Sequence, residues 1–115
     1  MYVGIIGGDA TNPQHLQLVD DCLENLIESS GYYLFTLFSA GIKGCNVTTP
    51  PLSYQYAQLR GLPCHRKEYK TFESLVRGIC YEVDYLIVLN DGNQFVKRCF
   101  MAFQQTGKHG SMIRL

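Results

Sequence analysis

The sequence predicts an α/β domain of the Rossmann-like class. It is expected to have three layers, with a five-stranded, mainly parallel sheet in the order 3-2-1-4-5 between helices on both faces. Three observations predict it. Strand-like and helix-like segments alternate along all 115 residues with short connections. The first two strands each run into a glycine-bearing turn. The segment DYLIVL, Asp84 to Leu89, is apolar on both alternate faces, as a central parallel strand must be. Strict alternation implies right-handed crossovers and a sheet covered on both sides. A flavodoxin-like order, 2-1-3-4-5, is the main competitor, and in either order ligands bind outside the carboxyl ends of the strands.

Each element has its own signal. Tyr2 to Ile6 is a short apolar, β-branched run that ends in Gly7-Gly8. Asn12-Pro13 supplies a helix cap followed by proline at the first helical position. Leu16, Val19, Cys22, Leu23, Leu26 and Ile27 then recur at helical spacing until Gly31 stops the helix. Tyr33 to Phe38 reads as a second strand, followed by Ser39-Ala40-Gly41 and a loop from Ile42 to Pro50. Pro51 opens a short helix carrying Leu52, Tyr56 and Leu59 and closed by Gly61, and Leu62 to Lys67 is a weaker strand. Thr71 caps a helix with Phe72, Leu75, Val76, Ile79 and Cys80 on one face. After the DYLIVL strand, Asn93 to Thr106 is a helix with Phe95, Val96, Cys99, Phe100 and Phe103 inward. Ser111 to Leu115 makes the last strand.

Composition narrows the function. The whole chain, 1–115, reads as a single domain, and 46% hydrophobic residues suffice for a core. A domain this small still buries only roughly 65% of its unfolded surface. Ten basic residues balance ten acidic ones, so no basic stripe offers itself to nucleic-acid phosphates. Zero net charge removes colloidal repulsion and, with exposed tyrosines, suits a homo-oligomer. Cys22, Cys45, Cys64, Cys80 and Cys99 are odd in number and lack C-x-x-C spacing. They read as reduced, mostly buried thiols of a cytoplasmic protein rather than a disulfide framework or zinc site. The first strand begins almost at once, which leaves no room for a signal sequence, and no apolar run approaches a membrane span.

Three loops lie at the expected mouth. In the first, GGDATN, the backbone N–H groups of Gly7 and Gly8 and the following helix N-terminus form an anion site without a basic side chain, joined by Asp9 and Asn12. The glycines also serve the turn itself. A bulky residue at Gly8 is expected to block a ligand while leaving the fold largely intact. In the second, Ser39, Ala40, Gly41, Lys43, Gly44 and Asn46 are candidates, Lys43 as a phosphate partner. Asn46, Thr48 and Thr49 can bond a ribose or base, or cap the next helix. In the third, Asn90 and Asp91 can hold ribose hydroxyls, while Gly92 and Asn93 suit either a ligand contact or a plain Asp-Gly turn and helix cap. Tyr69, in the charged run Arg66 to Lys70 beyond the third strand, can stack on a base, with Lys67 or Lys70 near its phosphates. Otherwise that run is a solvated rim.

Several chemistries are set aside. G-x-G-x-x-G is absent and the second strand ends in Ser39, not the Asp or Glu that takes an NAD ribose, so a dehydrogenase is not expected. No G-x-x-x-x-G-K-[ST] exists. His15, His65 and His109 show no metal-ligand spacing and read as surface or satisfied residues. Cys45 lies on a glycine-rich loop with no partner base. Neither a catalytic residue, a metal nor a cofactor is assigned.

The order GGD, SAGIKG, YAQLRGLP, VDYLIVLNDG with its amphipathic helix, and TGKHGSMIRL resembles the SLOG superfamily over nearly the whole chain. That superfamily groups the DNA-processing protein A domain, the Lonely Guy nucleotide hydrolases and related small proteins. The resemblance implies a Rossmann-like fold that binds nucleotides or nucleotide-derived ligands. It also implies either cleavage of nucleoside monophosphates or sensing of nucleotide signals, including ADP-ribose-derived signals in antiviral defence, and homo-oligomers are frequent. Lonely Guy enzymes carry P-G-G-x-G-T-x-x-E after strand four, whereas this chain has NDGNQFVKR there, without the Gly-Thr or the acidic residue.

The sequence therefore leads to an expectation of non-catalytic binding of a small nucleotide-derived ligand, a cyclic nucleotide or an ADP-ribose-type signal. The protein would be a sensor or a sequestering sponge, of the kind a virus uses to remove a host immune signal. The alternatives are a nucleotide N-glycosidic hydrolase using Asp9 or Asp91, and a subunit whose pocket is vestigial.

Overall fold

Two asparagines and a threonine start three of the helices, because their side chains satisfy peptide N–H groups that the first helical turn leaves unpaired. Asn12 accepts from Gln14 ahead of Pro13, Asn93 accepts from Phe95, and Thr71 forms a reciprocal capping box with Ser74. The computed structural model, which describes residues 1–31, 35–43 and 52–115, thereby sets α1 (Pro13–Ser30), α3 (Phe72–Glu82) and α4 (Gln94–Gln104). A shorter helix, α2, covers Leu52–Arg60. Gly31, with φ at 73°, ends α1. Lys108 ends α3 instead of a glycine: its Nζ donates to the Cys80 and Val83 carbonyls at 2.7 and 3.0 Å, a cation where the helix dipole is negative.

The strands are β1 (Tyr2–Gly7), β2 (Thr36–Ile42), β3 (Cys64–Tyr69), β4 (Tyr85–Asn90) and β5 (His109–Arg114). They form a parallel sheet in the order β3-β2-β1-β4-β5, a Rossmann-like arrangement that excludes the flavodoxin-like order. Leu86 to Leu89 are all fully buried, and alternate residues feed opposite layers. Ile87 and Leu89 pack with Val19, Leu23 and Leu26 of α1 and with Leu52, Tyr56 and Ala57 of α2. Leu86 and Val88 pack with Ile79 of α3 and with Cys99, Phe100 and Phe103 of α4.

Four expectations need correction. Ser39, Ala40 and Gly41 are strand residues, not loop: β2 pairs with β3 as far as Ile42. Ser39 is tolerated there at 0% exposure because the Ser53 hydroxyl donates to its Oγ at 2.8 Å. The charged run Arg66 to Tyr69 is β3 itself, and it looks like a loop because an edge strand keeps residues 65–68 in solvent. Leu59 and Phe95 point outward, 59% and 57% exposed. Leu59 falls off the stripe made by Leu52, Ser53, Tyr56 and Ala57, and Phe95 meets the Phe72 ring edge-on at 5.0 Å rather than the sheet. Among the described cysteines only Cys99 is fully buried, and Cys22, Cys64 and Cys80 are half-buried.

Candidate functional site

The chain leaves β1 for one face of the sheet and β4 for the other, so the turns after these adjacent strands part at the switch point. Gly7 and Gly8 have φ of 79° and 81°. A Cβ on Gly7 would stand 2.2 Å from the Leu89 carbonyl oxygen, and one on Gly8 would stand 2.6 and 2.7 Å from Leu89 Cδ1 and Leu52 Cδ2. Both glycines are thus demanded by packing as well as by conformation. The expectation that a bulky residue at Gly8 spares the fold is corrected on this ground.

Beyond the glycines, the first turn holds itself together with its own side chains. The Asp9 N–H donates to His15 Nδ1 at 2.9 Å. Asp9 Oδ1 accepts from the Thr11 N–H and hydroxyl at 2.9 and 2.7 Å, and Asn12 N–H donates back to the Asp9 carbonyl. These bonds from Thr11, hydroxyl first, hold the exposed Asp9 carboxyl below its ordinary value. The turn after β4 repeats the device: Asn90 accepts from Gly92 N–H, Asp91 from Asn93 N–H, and Asn93 from Phe95 N–H, at 2.8 to 3.0 Å. The donor set open to a ligand is therefore smaller than the sequence suggests. The Gly8 N–H faces the Leu89 carbonyl at the end of the β1–β4 ladder, and among the described residues no hydrogen bond is made by the peptide N–H of Ala10 or Asp91.

Gly7, Gly8, Asp9, Asn12, Asn90, Asp91, Gly92 and Asn93 thus share one edge of the molecule. Gly41 and Lys43 reach the same end of the sheet one strand away, with the Lys43 N–H donating to the Tyr69 carbonyl at 2.7 Å. Ser39 and Ala40 lie below it within β2. Gly44, Cys45, Asn46, Thr48 and Thr49 lie outside the described residues. Tyr69 is not brought to the switch point. With strands about 4.8 Å apart, β3 stands three spacings, about 14 Å, from β4. Its ring lies against α3, 2.2 to 2.4 Å from where a Cβ on Gly78 would be, and Lys67 Nζ sits 5.5 Å from its centre. Burial, and after it the charge of Glu82, raises the Tyr69 hydroxyl above its ordinary range.

Sequence reasoning missed three contributors. His15 was read only as a surface or satisfied residue; its spacing of six from Asp9 on the first turn of α1 was the available signal. Arg114, exposed and in register with Asn90, follows from the strand order once β5 is placed beside β4. The third is a clamp between α1 and α2. Arg60 donates to both carboxylate oxygens of Asp20, at 3.0 and 2.8 Å, and the buried Tyr56 hydroxyl donates to the same carboxylate. Arg60, more than Tyr56, holds the Asp20 carboxyl below its ordinary range, while burial first and Asp20 second push Tyr56 up. Partners 36 and 40 residues apart leave no local trace.

Chemically, the mouth combines carboxylates (Asp9, Asp91), an amide (Asn90) and two exposed cations (Lys43, Arg114) around a few open peptide donors. That set can accept sugar hydroxyls and make short-range contacts to a phosphate. Among the described residues no three His, Cys, Asp or Glu side chains converge in the way a metal site needs, and no helix is long and apolar enough to cross a membrane. No family model matches the chain, and no curated protein or solved structure matches it either.

Proposed function

We propose that the protein binds a small nucleotide-derived ligand, of the cyclic-nucleotide or ADP-ribose type, without transforming it. It would act as a sensor or a sequestering protein, the reading that the SLOG-like motifs also suggest. The observation that carries the proposal is the adjacency of β1 and β4 at the switch point. It sets the open N–H groups of Ala10 and Asp91 beside the carboxylates of Asp9 and Asp91 and the amide of Asn90. Ribose hydroxyls donate to the carboxylates, and a phosphate takes the peptide donors with help from Lys43. Because so many loop donors are already satisfied, hydroxyl recognition carries more of the affinity than phosphate recognition.

The hydrolase alternative asks a carboxyl group to deliver a proton near neutral pH, which requires a raised pKa. Thr11 moves Asp9 the other way. The test is incubation with ADP-ribose and with cyclic nucleotides, gel filtration, and chemical identification of what heat denaturation releases. Intact ligand, with a thermal shift that grows with its concentration, is the expected result. Free base and ribose phosphate would establish the hydrolase instead. Neither retention nor a thermal shift with any of them would overturn the proposal.

A further inference from the structure

A peptide N–H can only donate. The 2.9 Å bond from the Asp9 N–H to His15 Nδ1 therefore fixes the state of the ring: Nδ1 carries a lone pair, and the imidazole is neutral with its proton on Nε2. Imidazole takes up a second proton between about pH 5 and 8. On His15 that proton goes to Nδ1, where it sets two donors against each other and ends the bond. The Asp9 N–H is then open beside that of Ala10, which makes no hydrogen bond among the described residues. The same step puts a positive charge on the third residue of α1, at the positive end of the helix dipole, and an anion bound nearby relieves that repulsion.

The surroundings let this one bond switch alone. The charged group that faces His15 is the Asp9 carboxylate, held below its ordinary value of 3.8 by the Thr11 hydroxyl first, the Thr11 N–H next and the His15 charge last. It stays ionised throughout the imidazole interval, so its bonds to Thr11 persist while the bond to His15 comes and goes. Of the other charges on α1, Asp20 is taken by Arg60 and Tyr56 of α2, and Asp21 accepts from Gln17. Around the mouth, Lys43 and Asp91 make no ion pair or hydrogen bond with His15. The remaining histidines, His65 and His109, stand near the amino ends of β3 and β5, away from the mouth. The His15 ring is half-buried, so solvent protons reach it.

We propose that His15 is a proton-operated latch on the turn after β1. Neutral, it occupies the Asp9 N–H; protonated, it releases that donor and adds a charge, so an anionic ligand binds more tightly as pH falls from about 8 to about 5. The gain in affinity rests on the nucleotide reading of the mouth, whereas the latch itself does not, and the test separates the two. ADP-ribose is the probe, because its diphosphate diester stays ionised across this interval. In the ligand-free ¹⁵N-labelled protein, the Asp9 amide proton should move upfield with the same midpoint as the His15 ring, and the Thr11 amide should move much less. ADP-ribose should bind about tenfold more tightly at the acid end at constant ionic strength, the scale of one hydrogen bond gained by a charged group. In His15→Leu, the Asp9 amide proton should already lie upfield at the alkaline end, and ADP-ribose affinity should no longer depend on pH. An Asp9 amide that ignores the His15 titration in the wild type would overturn the proposal, as would ADP-ribose affinity equal at the two ends of the interval. ADP-ribose bound at neither end, with the Asp9 amide still following the ring, would overturn the nucleotide reading while upholding the latch.

Discussion

The turn after β1 and the turn after β4 both reverse the chain through a positive-φ glycine, yet they differ in what surrounds it. Gly7 is pressed against the backbone of β4, with a Leu89 oxygen where a methyl group would go, whereas Gly92 has nothing within 4 Å of that position. The first turn is fixed by packing and then stitched by Asp9, Thr11 and His15. The turn after β4 stands free in solvent and is shaped by the asparagine and aspartate side chains that bridge it. Two turns with similar composition thus do different work. One sets the separation of the sheet's two halves at the switch point, and the other offers adjustable polar groups at its rim. A ligand site assembled from both has one rigid wall and one adaptable wall.

Alanine at the two glycines exposes that difference most sharply. Both substitutions incur the left-handed backbone penalty, about 1–2 kcal/mol. Gly7→Ala adds a clash with backbone that cannot move without opening β1 from β4, and a total above about 3 kcal/mol is expected. In thermal melts Gly92→Ala should lower Tm by about 4–8 °C, while Gly7→Ala should lower it by more than about 12 °C or prevent folding. Equal losses would mean that the close approach at Gly7 has no energetic consequence.

A smaller effect concerns charge in the rigid turn. Asp9 is held below its ordinary value of 3.8, so its bonds to Thr11 stabilise the fold fully above that value and are lost as pH falls through the lower folded one. A carbon-detected NMR titration of the Asp9 carboxyl should show the depressed midpoint, and Thr11→Val should move it back up. A midpoint unmoved by Thr11→Val would place the cause elsewhere.

Fold and site were unequally legible in the sequence. The four-residue core run Leu86 to Leu89, the caps Asn12, Thr71 and Asn93, and the glycines after β1 are local signals, and they were enough for the strand order. The errors came where tertiary contact overrides local pattern. Ser39 looks like a loop residue until Ser53 arrives to pair with it, and Arg66 to Tyr69 look like a rim because an edge strand needs no apolar alternation. Tyr69 looked available for stacking until α3, through Gly78, covered its ring. Most of all, loop composition reveals which peptide donors exist and says nothing of which are already taken. That His15 occupies the Asp9 N–H and Asn90 the Gly92 N–H depends on rotamers and turn geometry.

Amide chemical-shift mapping of the ¹⁵N-labelled protein during titration with ADP-ribose, repeated with a cyclic dinucleotide, tests the switch-point site most directly. Saturable shifts with at least one of the two, concentrated at Ala10 and Asp91 and fading toward α3 and α4, are the predicted result. Saturable shifts confined to α3 and α4, or none at the turns after β1 and β4 with either compound, would contradict it.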